Sequence, residues 1–506
     1  MTDRGARRLC VGLALATVIL QSATSRGYGH FRDELYYLAC AQHPAFGYVD
    51  HPPLIALVAG ATRTILGASP PALRFPAALA AGGTVFLTGL IALELGGGAL
   101  AVTTASVAVM LGPIYVGLFS LLTMNSFEVL FWTLASFLLV RILRTGDERL
   151  WLPFGAVVGI GLENKHSVAF FLVATMVGLA VTPARVHLAS RGFRRGLVVA
   201  ALLFLPNVVW EVVHGVPTLE FLQNAQAYKN LARPPLAFLA EQVLVLSPLA
   251  LPVWLAGLAF YLGGRDGRPY RALGWAYLAV LAMVMAQHGK SYYLAPAYPV
   301  LFAAGGLVVE RRTRGRAIGW VVPCMVAASG LVLAPLAKAV LSEETFVRYQ
   351  HALGQDPRAG VDERQALGAL PQLFADQHGW PEMVATIARV YDALPAEDRA
   401  HACIFVQNYG EAGAVDFFGP ALGLPAALSG HNSYWLWGPG RCDGTVMIVL
   451  GGSAAGISEY FADVVQAGVV SGNAYCMPFE RDLPVFVARH PRGDLNTMWN
   501  ELKRFI

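Results

Sequence analysis

Residues 30–54 read HFRDELYYLACAQHPAFGYVDHPPL, a polar and aromatic stretch between two strongly apolar regions. Read as a helix from Phe31 to Gln42, it puts Phe31, Leu35 and Leu38 on one stripe, with Asp33, Tyr37 and Cys40 on the other side. That pattern suits a helix lying on a membrane surface, its acid aimed at a water-filled cavity. It equally suits a polar loop helix whose acids, Asp33 and Glu34, only cap and solubilise it. The Pro52-Pro53 pair ends the stretch, because proline cannot continue a helix interior.

Outward from there, composition decides the setting. Of 506 residues 56% are hydrophobic and 14% charged, and the mean hydropathy is +0.51. Soluble globular chains carry roughly 25% charge, so this is an integral membrane protein. No basic patch with interleaved aromatics occurs, which argues against nucleic acid as a partner. About eleven stretches have the length a bilayer needs: 9–24, 75–95, 99–119, 122–142, 151–164, 166–182, 197–214, 240–262, 272–288, 293–309 and 317–339. Every second loop is basic, with Arg141, Arg144 and Arg149, then Arg185, Arg191, Arg194 and Arg195, then Arg265, Arg268 and Arg271, then Arg311, Arg312, Arg314 and Arg316. The intervening loops carry few cations, chiefly Lys165, Lys229, Arg233 and Lys290. The positive-inside bias then puts the N-terminus in the cytoplasm, and residues 25–74 and everything after about 340 outside. Arg4, Arg7 and Arg8 precede the first apolar run and no A-x-A site follows it, which reads as a retained first helix.

Residues 341–506 are polar enough to form a separate extracytoplasmic α/β domain beside the membrane domain of 1–340. Ala402–Tyr409, Thr445–Gly451 and Pro484–His490 read as strands, and Pro381–Leu394 and Ala454–Ala467 as helices. Cys403, Cys442 and Cys476 share this domain; an oxidising compartment permits one disulfide among them, with the pairing open. No spacing resembles a metal site, although a divalent metal is not excluded.

Polar groups inside apolar spans are costly, and function is the first hypothesis for them. Glu128 lies in LLTMNSFEVLFW, with Asn125 nearly one turn before it. An interhelical hydrogen bond accounts for such a pair equally well. Glu211 closes the seventh span, where a solvated acid costs little. Lys290 sits in QHGKSYYLAPAYP beside Tyr292 and Tyr293, where a snorkelling interface lysine with an aromatic belt is the structural alternative.

RDELYYLACAQHPAFGYVDHPPL resembles the first outer loop of bacterial family 39 type glycosyltransferases. That family has the GT-C membrane fold and is related to protein O-mannosyltransferases and the lipid A aminoarabinose transferase. Asp33-Glu34 matches its acidic pair, and Tyr48, Asp50, His51, Pro52, Pro53 and Leu54 match its later element. HGKSYYLAPAYP resembles its GK-x-Y-Y-x-x-P-x-Y-P element through Gly289, Lys290, Tyr292, Tyr293, Pro296, Tyr298 and Pro299. GLENKHSVAFF resembles a further element through Lys165. One position departs: an Asp common early in the fourth span is replaced by Thr123-Met124-Asn125, and the acid appears as Glu128. NYGEAGAVDFFGP and GHNSYWLWGPG look like the C-terminal domain of one bacterial subgroup, without a catalytic role to carry over.

The resemblance implies a polytopic GT-C-like enzyme of the bacterial inner membrane. It would move a sugar from a polyprenyl-phosphate donor to an acceptor hydroxyl with inversion. Asp33 is then the base, with Glu34 orienting it or binding the acceptor, and Glu128 the candidate second acid. Lys290, and less strongly Lys165, Arg63 and Arg74, would offset charge on the leaving phosphate. Tyr36, Tyr37, His51, Tyr292 and Tyr293 would flank sugar or acceptor. No cofactor is required, and the partners are the bilayer, the lipid-linked sugar and an acceptor of unknown identity. A secondary transporter is the competing class, but it would gather ionisable groups near the bilayer midplane. A non-catalytic membrane protein with an outer binding domain is the other.

Overall fold

The protein is described from a computed structural model over residues 3–229, 231, 234–355 and 364–506, so Arg233 lies outside the described residues. The chain folds as two compact units. One comprises residues 1–26, 71–209 and 232–340; the other comprises 27–70, 210–231 and 341–506. The loop that the sequence attaches to the membrane domain therefore groups with the C-terminal residues.

The first unit is helical. Among the described residues seven helices are long and apolar enough to cross a membrane: Arg4–Ala23, Pro70–Glu94, Met124–Thr145, Arg191–Val213, Arg268–Ala286, Ser291–Thr313 and Ala317–Ala337. Pro235–Val245 and Pro248–Gly263, bent by 94° at their junction, make an eighth if counted as one, against about eleven expected, and Leu54–Leu66, Ala99–Leu111 and Val168–Ala180 are shorter apolar helices. The expected span 99–119 breaks at Gly112-Pro113, leaving the helix Ala99–Leu111. Small residues let helices approach here, as they do where lipid supplies no hydrophobic drive. A methyl group on Gly257 would fall 2.0 Å from the Leu301 carbonyl oxygen, and one on Gly305 2.0 Å from that of Val253.

The second unit holds a five-stranded sheet in the order β2-β1-β3-β5-β4, formed by β1 (Ala402–Phe405), β2 (Ala427–Leu428), β3 (Val446–Leu450), β4 (Phe461–Val470) and β5 (Leu483–Pro491). β1 pairs in parallel with β2 and β3, while β5 runs antiparallel to β3 and β4. The three expected strands are β1, β3 and β5. The helix expected at 454–467 is a correction: the helix Ala454–Ser458 is short, and β4 follows as an edge strand. Val464-Val465 and Val469-Val470 favour a pleated surface, and pairing with β5 satisfies the backbone. Cys403 and Cys442 form a disulfide, Cα–Cα 5.9 Å, and Cys476 is a buried free thiol.

The stretch at 30–54 also differs from expectation. The helix Arg32–Gln42 forms as read, but it does not lie with one wet face on a membrane: every residue from Glu34 to Cys40 is buried. It packs against the helices Leu54–Leu66 and Tyr409–Phe418. Glycines on the latter permit the approach. A methyl group on Gly410 would fall 2.3 Å from Arg32 Cγ, and one on Gly413 3.0 Å from Tyr36 N.

Candidate functional site

In the second unit, the chain enters the helix Arg32–Gln42 through an N-terminal cap. Phe31 N–H donates to Glu34 Oε2 at 2.9 Å, so Glu34, fully buried, serves the helix start. Asp33 stands one residue earlier with its side chain 28% exposed. Its Oδ1 accepts a hydrogen bond from the Tyr409 hydroxyl at 2.9 Å and lies 3.8 Å from Arg32 Nε. Arg32 stacks over the Tyr409 ring, 5.1 Å to its centroid, and its guanidinium lies 3.7 Å from the buried Asp376 carboxylate. Among the described residues Asp33 Oδ2 makes no hydrogen bond.

The next turn is held by a second set of contacts. The Tyr36 hydroxyl donates to Asp50 Oδ1 at 2.9 Å and lies 2.8 Å from Ser433 Oγ, which also accepts from Val49 N–H at 3.1 Å. His51 Nδ1 lies 2.8 Å from the Pro52 carbonyl oxygen, and the His51 ring meets Tyr37 edge-on at 5.1 Å. Burial pushes the Asp50 carboxyl above its usual range, against the opposing pull of His51 and Tyr36. Burial, then the charges of Asp33 and Asp50, push the Tyr37 phenol well up, which keeps it neutral.

In the first unit, Glu128 faces the loop between the helices Trp151–Leu162 and Val168–Ala180. Lys165 Nζ donates to Glu128 Oε2 at 2.6 Å and to Asn125 Oδ1 at 2.7 Å. The Ser167 hydroxyl donates to Glu128 Oε1. The Lys165 ammonium lies 4.9 Å from the Tyr293 ring centroid and 5.8 Å from that of Tyr292. Lys290, half-buried, caps the turn that carries both tyrosines, and its carbonyl accepts from Tyr293 N–H at 3.1 Å.

A family model described as dolichyl-phosphate-mannose-protein mannosyltransferase matches residues 50–210. A lipid A galacturonosyltransferase, RgtD, from Rhizobium johnstonii is 26% identical over 300 residues, which cover 57% of this chain and 61% of that one. The match therefore spans less than two thirds of that relative. Among solved structures, ArnT from Cupriavidus metallidurans superposes with a TM-score of 0.58 when bound to undecaprenyl phosphate and 0.59 in the apo state. Each comparison is at 14% identity and covers 94% of this chain and 97% of ArnT. The chain has the GT-C membrane fold. These matches agree with the superfamily that the sequence motifs resemble.

Within this GT-C chain the remaining sequence candidates fall in distinct places. Arg74 is 2% exposed, and its Nη1 donates to the carbonyls of Ser25 and Arg26 just past the end of the first helix, where a cation suits the helix dipole. Arg63 is exposed in the last turn of the helix Leu54–Leu66. Glu128, a candidate second acid, is the counter-ion of Lys165. Sequence reasoning gives no role to Arg32, Ser167, Tyr409 or Ser433. For Tyr409 and Ser433 a signal exists, since NYGEAG and GHNSYW stand out in the sequence even without a role. Among the described residues no group of three His, Cys, Asp or Glu side chains converges as a metal site.

Proposed function

We propose that this chain moves a sugar from a polyprenyl-phosphate donor to an acceptor hydroxyl on the outer face of the bacterial inner membrane, with inversion. The observation that carries the reading is Asp33: a part-exposed carboxylate in the motif-bearing helix, one oxygen held by a tyrosine and the other without a hydrogen bond among the described residues. Asp33 Oδ2 takes the acceptor's proton as its oxygen attacks the anomeric carbon. The bond from that carbon to the phosphate oxygen breaks, and its electron pair leaves with the polyprenyl phosphate. Lys290 offsets the charge that builds there, with Lys165 the second cation. Lysine charge suffices for that task, so the scheme calls on no metal. Tyr36, Tyr37, His51, Tyr292 and Tyr293 flank sugar or acceptor. The N-terminus is cytoplasmic and residues 341–506 extracytoplasmic.

The named activity of the Rhizobium relative makes a galacturonosyl donor and a lipid A acceptor the first pair to try. The test is release of free polyprenyl phosphate by purified protein across a panel of hexosyl and pentosyl polyprenyl phosphates. Acceptor-dependent release from one donor is expected. A folded protein that releases none from any donor overturns the reading and leaves a transporter or a binding protein.

A further inference from the structure

NYGEAG, residues 408–413, has no part in the chemistry above, yet its geometry bears directly on Asp33. Asn408 caps the helix Tyr409–Phe418, its Oδ1 accepting from Gly410 and Glu411 N–H at 2.9 and 3.0 Å. Gly410 and Gly413, three residues apart, lie on one side of that helix. Their missing side chains leave room for the Arg32 side chain beside Gly410 and for the Leu35–Tyr36 backbone beside Gly413. Tyr409, 7% exposed, is thereby fixed with Arg32 over its ring and the His431 ring at 5.0 Å, and with its hydroxyl on Asp33 Oδ1.

We propose that Tyr409 is a positioning residue for the transfer reaction: it holds the Asp33 carboxylate in the orientation that presents Oδ2 to the acceptor. The inference rests on the transferase reading and extends it to the C-terminal region. A carboxylate on a short side chain rotates freely about its Cβ–Cγ bond. Arg32 alone, at 3.8 Å, is too distant for a hydrogen bond that would stop it. A tyrosine hydroxyl at 2.9 Å does so without adding charge.

The test is a double-mutant cycle on kcat and donor KM with the purified full chain. Tyr409→Phe keeps the ring, its stacking and its packing, and removes one hydroxyl. It should lower kcat about 10- to 100-fold, the size expected for a misplaced reacting group, with donor KM unchanged. In an Asp33→Asn background the same substitution should cost nothing further, because no general base remains to be oriented. Wild-type turnover in Tyr409→Phe overturns the inference, as does an equal loss in both backgrounds, which marks a merely structural role. A wild-type protein inactive with every donor sinks the transferase reading and this one with it; an active wild type with an unaffected Tyr409→Phe sinks this one alone.

Discussion

Asp33 and Glu128 are both acids beside a basic residue and a hydroxyl, but their surroundings treat them oppositely. Glu128 is buried and its two oxygens are taken, one by Lys165 at 2.6 Å and the other by Ser167. Asp33 is part exposed, has Arg32 no nearer than 3.8 Å and receives one neutral hydroxyl. An acid neutralised and saturated by its neighbours gives structure. One that keeps a lone pair and some contact with solvent can move a proton. The substitution that departs from the motif pattern in the Met124–Thr145 helix therefore reads as an ion pair rather than a relocated base.

The largest expected effect is on Asp33. Asp33→Asn keeps shape but cannot accept the proton, so kcat at saturating donor should fall by about 10²–10⁴-fold. Glu34→Gln should cost far less turnover, since Glu34 serves the helix start. Near wild-type turnover in folded Asp33→Asn would erase the contrast with Glu128.

Breaking the pair from one side comes next. Glu128→Gln leaves a part-buried ammonium without its counter-ion, and Lys165→Met leaves a buried carboxylate. Each should lose about 3–5 kcal/mol of stability, with the double variant recovering most of it. Unfolding in detergent reads the stability. If the double variant is stable yet inactive, Lys165 also serves the donor phosphate.

The second unit has its own saturated acid, which gives a pH signature. Burial raises Glu411 from 4.5 to about 7 despite hydrogen bonds from Gln407 and Asn408. The folded chain holds that proton more tightly than the unfolded chain, so its contribution to stability is lost as pH rises from about 4.5 to about 7. Glu411→Gln should therefore gain on the wild type between pH 5 and pH 8, by on the order of 3 kcal/mol. A thermal-shift difference that is flat with pH would show that Glu411 titrates normally. Acidification acts oppositely on His431, which burial holds down near 3, so the comparison must be between variant and wild type at each pH.

The smallest effect is expected at Lys290. Lys290→Ala should lower kcat/KM for donor by about 10- to 100-fold, the worth of one charged hydrogen bond, and Lys290→Arg should restore part of it. Unchanged kcat/KM in Lys290→Ala would make the residue an interface anchor and pass its role to Lys165.

Much of this was legible in the chain itself. Low charge and long apolar runs dictated a membrane protein, because a bilayer admits little else. The helix at 32–42 and strands β1, β3 and β5 followed from local pattern, but the Pro52-Pro53 pair is no stop: the helix ends at Gln42, and Pro53 sits at the N-cap of the helix Leu54–Leu66. Local pattern failed where neighbours decide. The run at 461–470 carries enough apolar residues for either period, and only β5 beside it made it a strand. The amphipathic stripe on 32–42 implied a wet face, until His51 packed on Tyr37 and Cys40 and Tyr409 closed on Asp33. Cys403 chose Cys442 because β1 and β3 lie side by side. Tyr409 reaches Asp33 across 376 residues and Ser433 reaches Tyr36 across 397. Residue type and spacing determine what each segment can bury and which chemistry it carries. Whether an acid is saturated by a lysine or left with a lone pair depends on which distant segments pack against it, and that the tertiary structure alone decided.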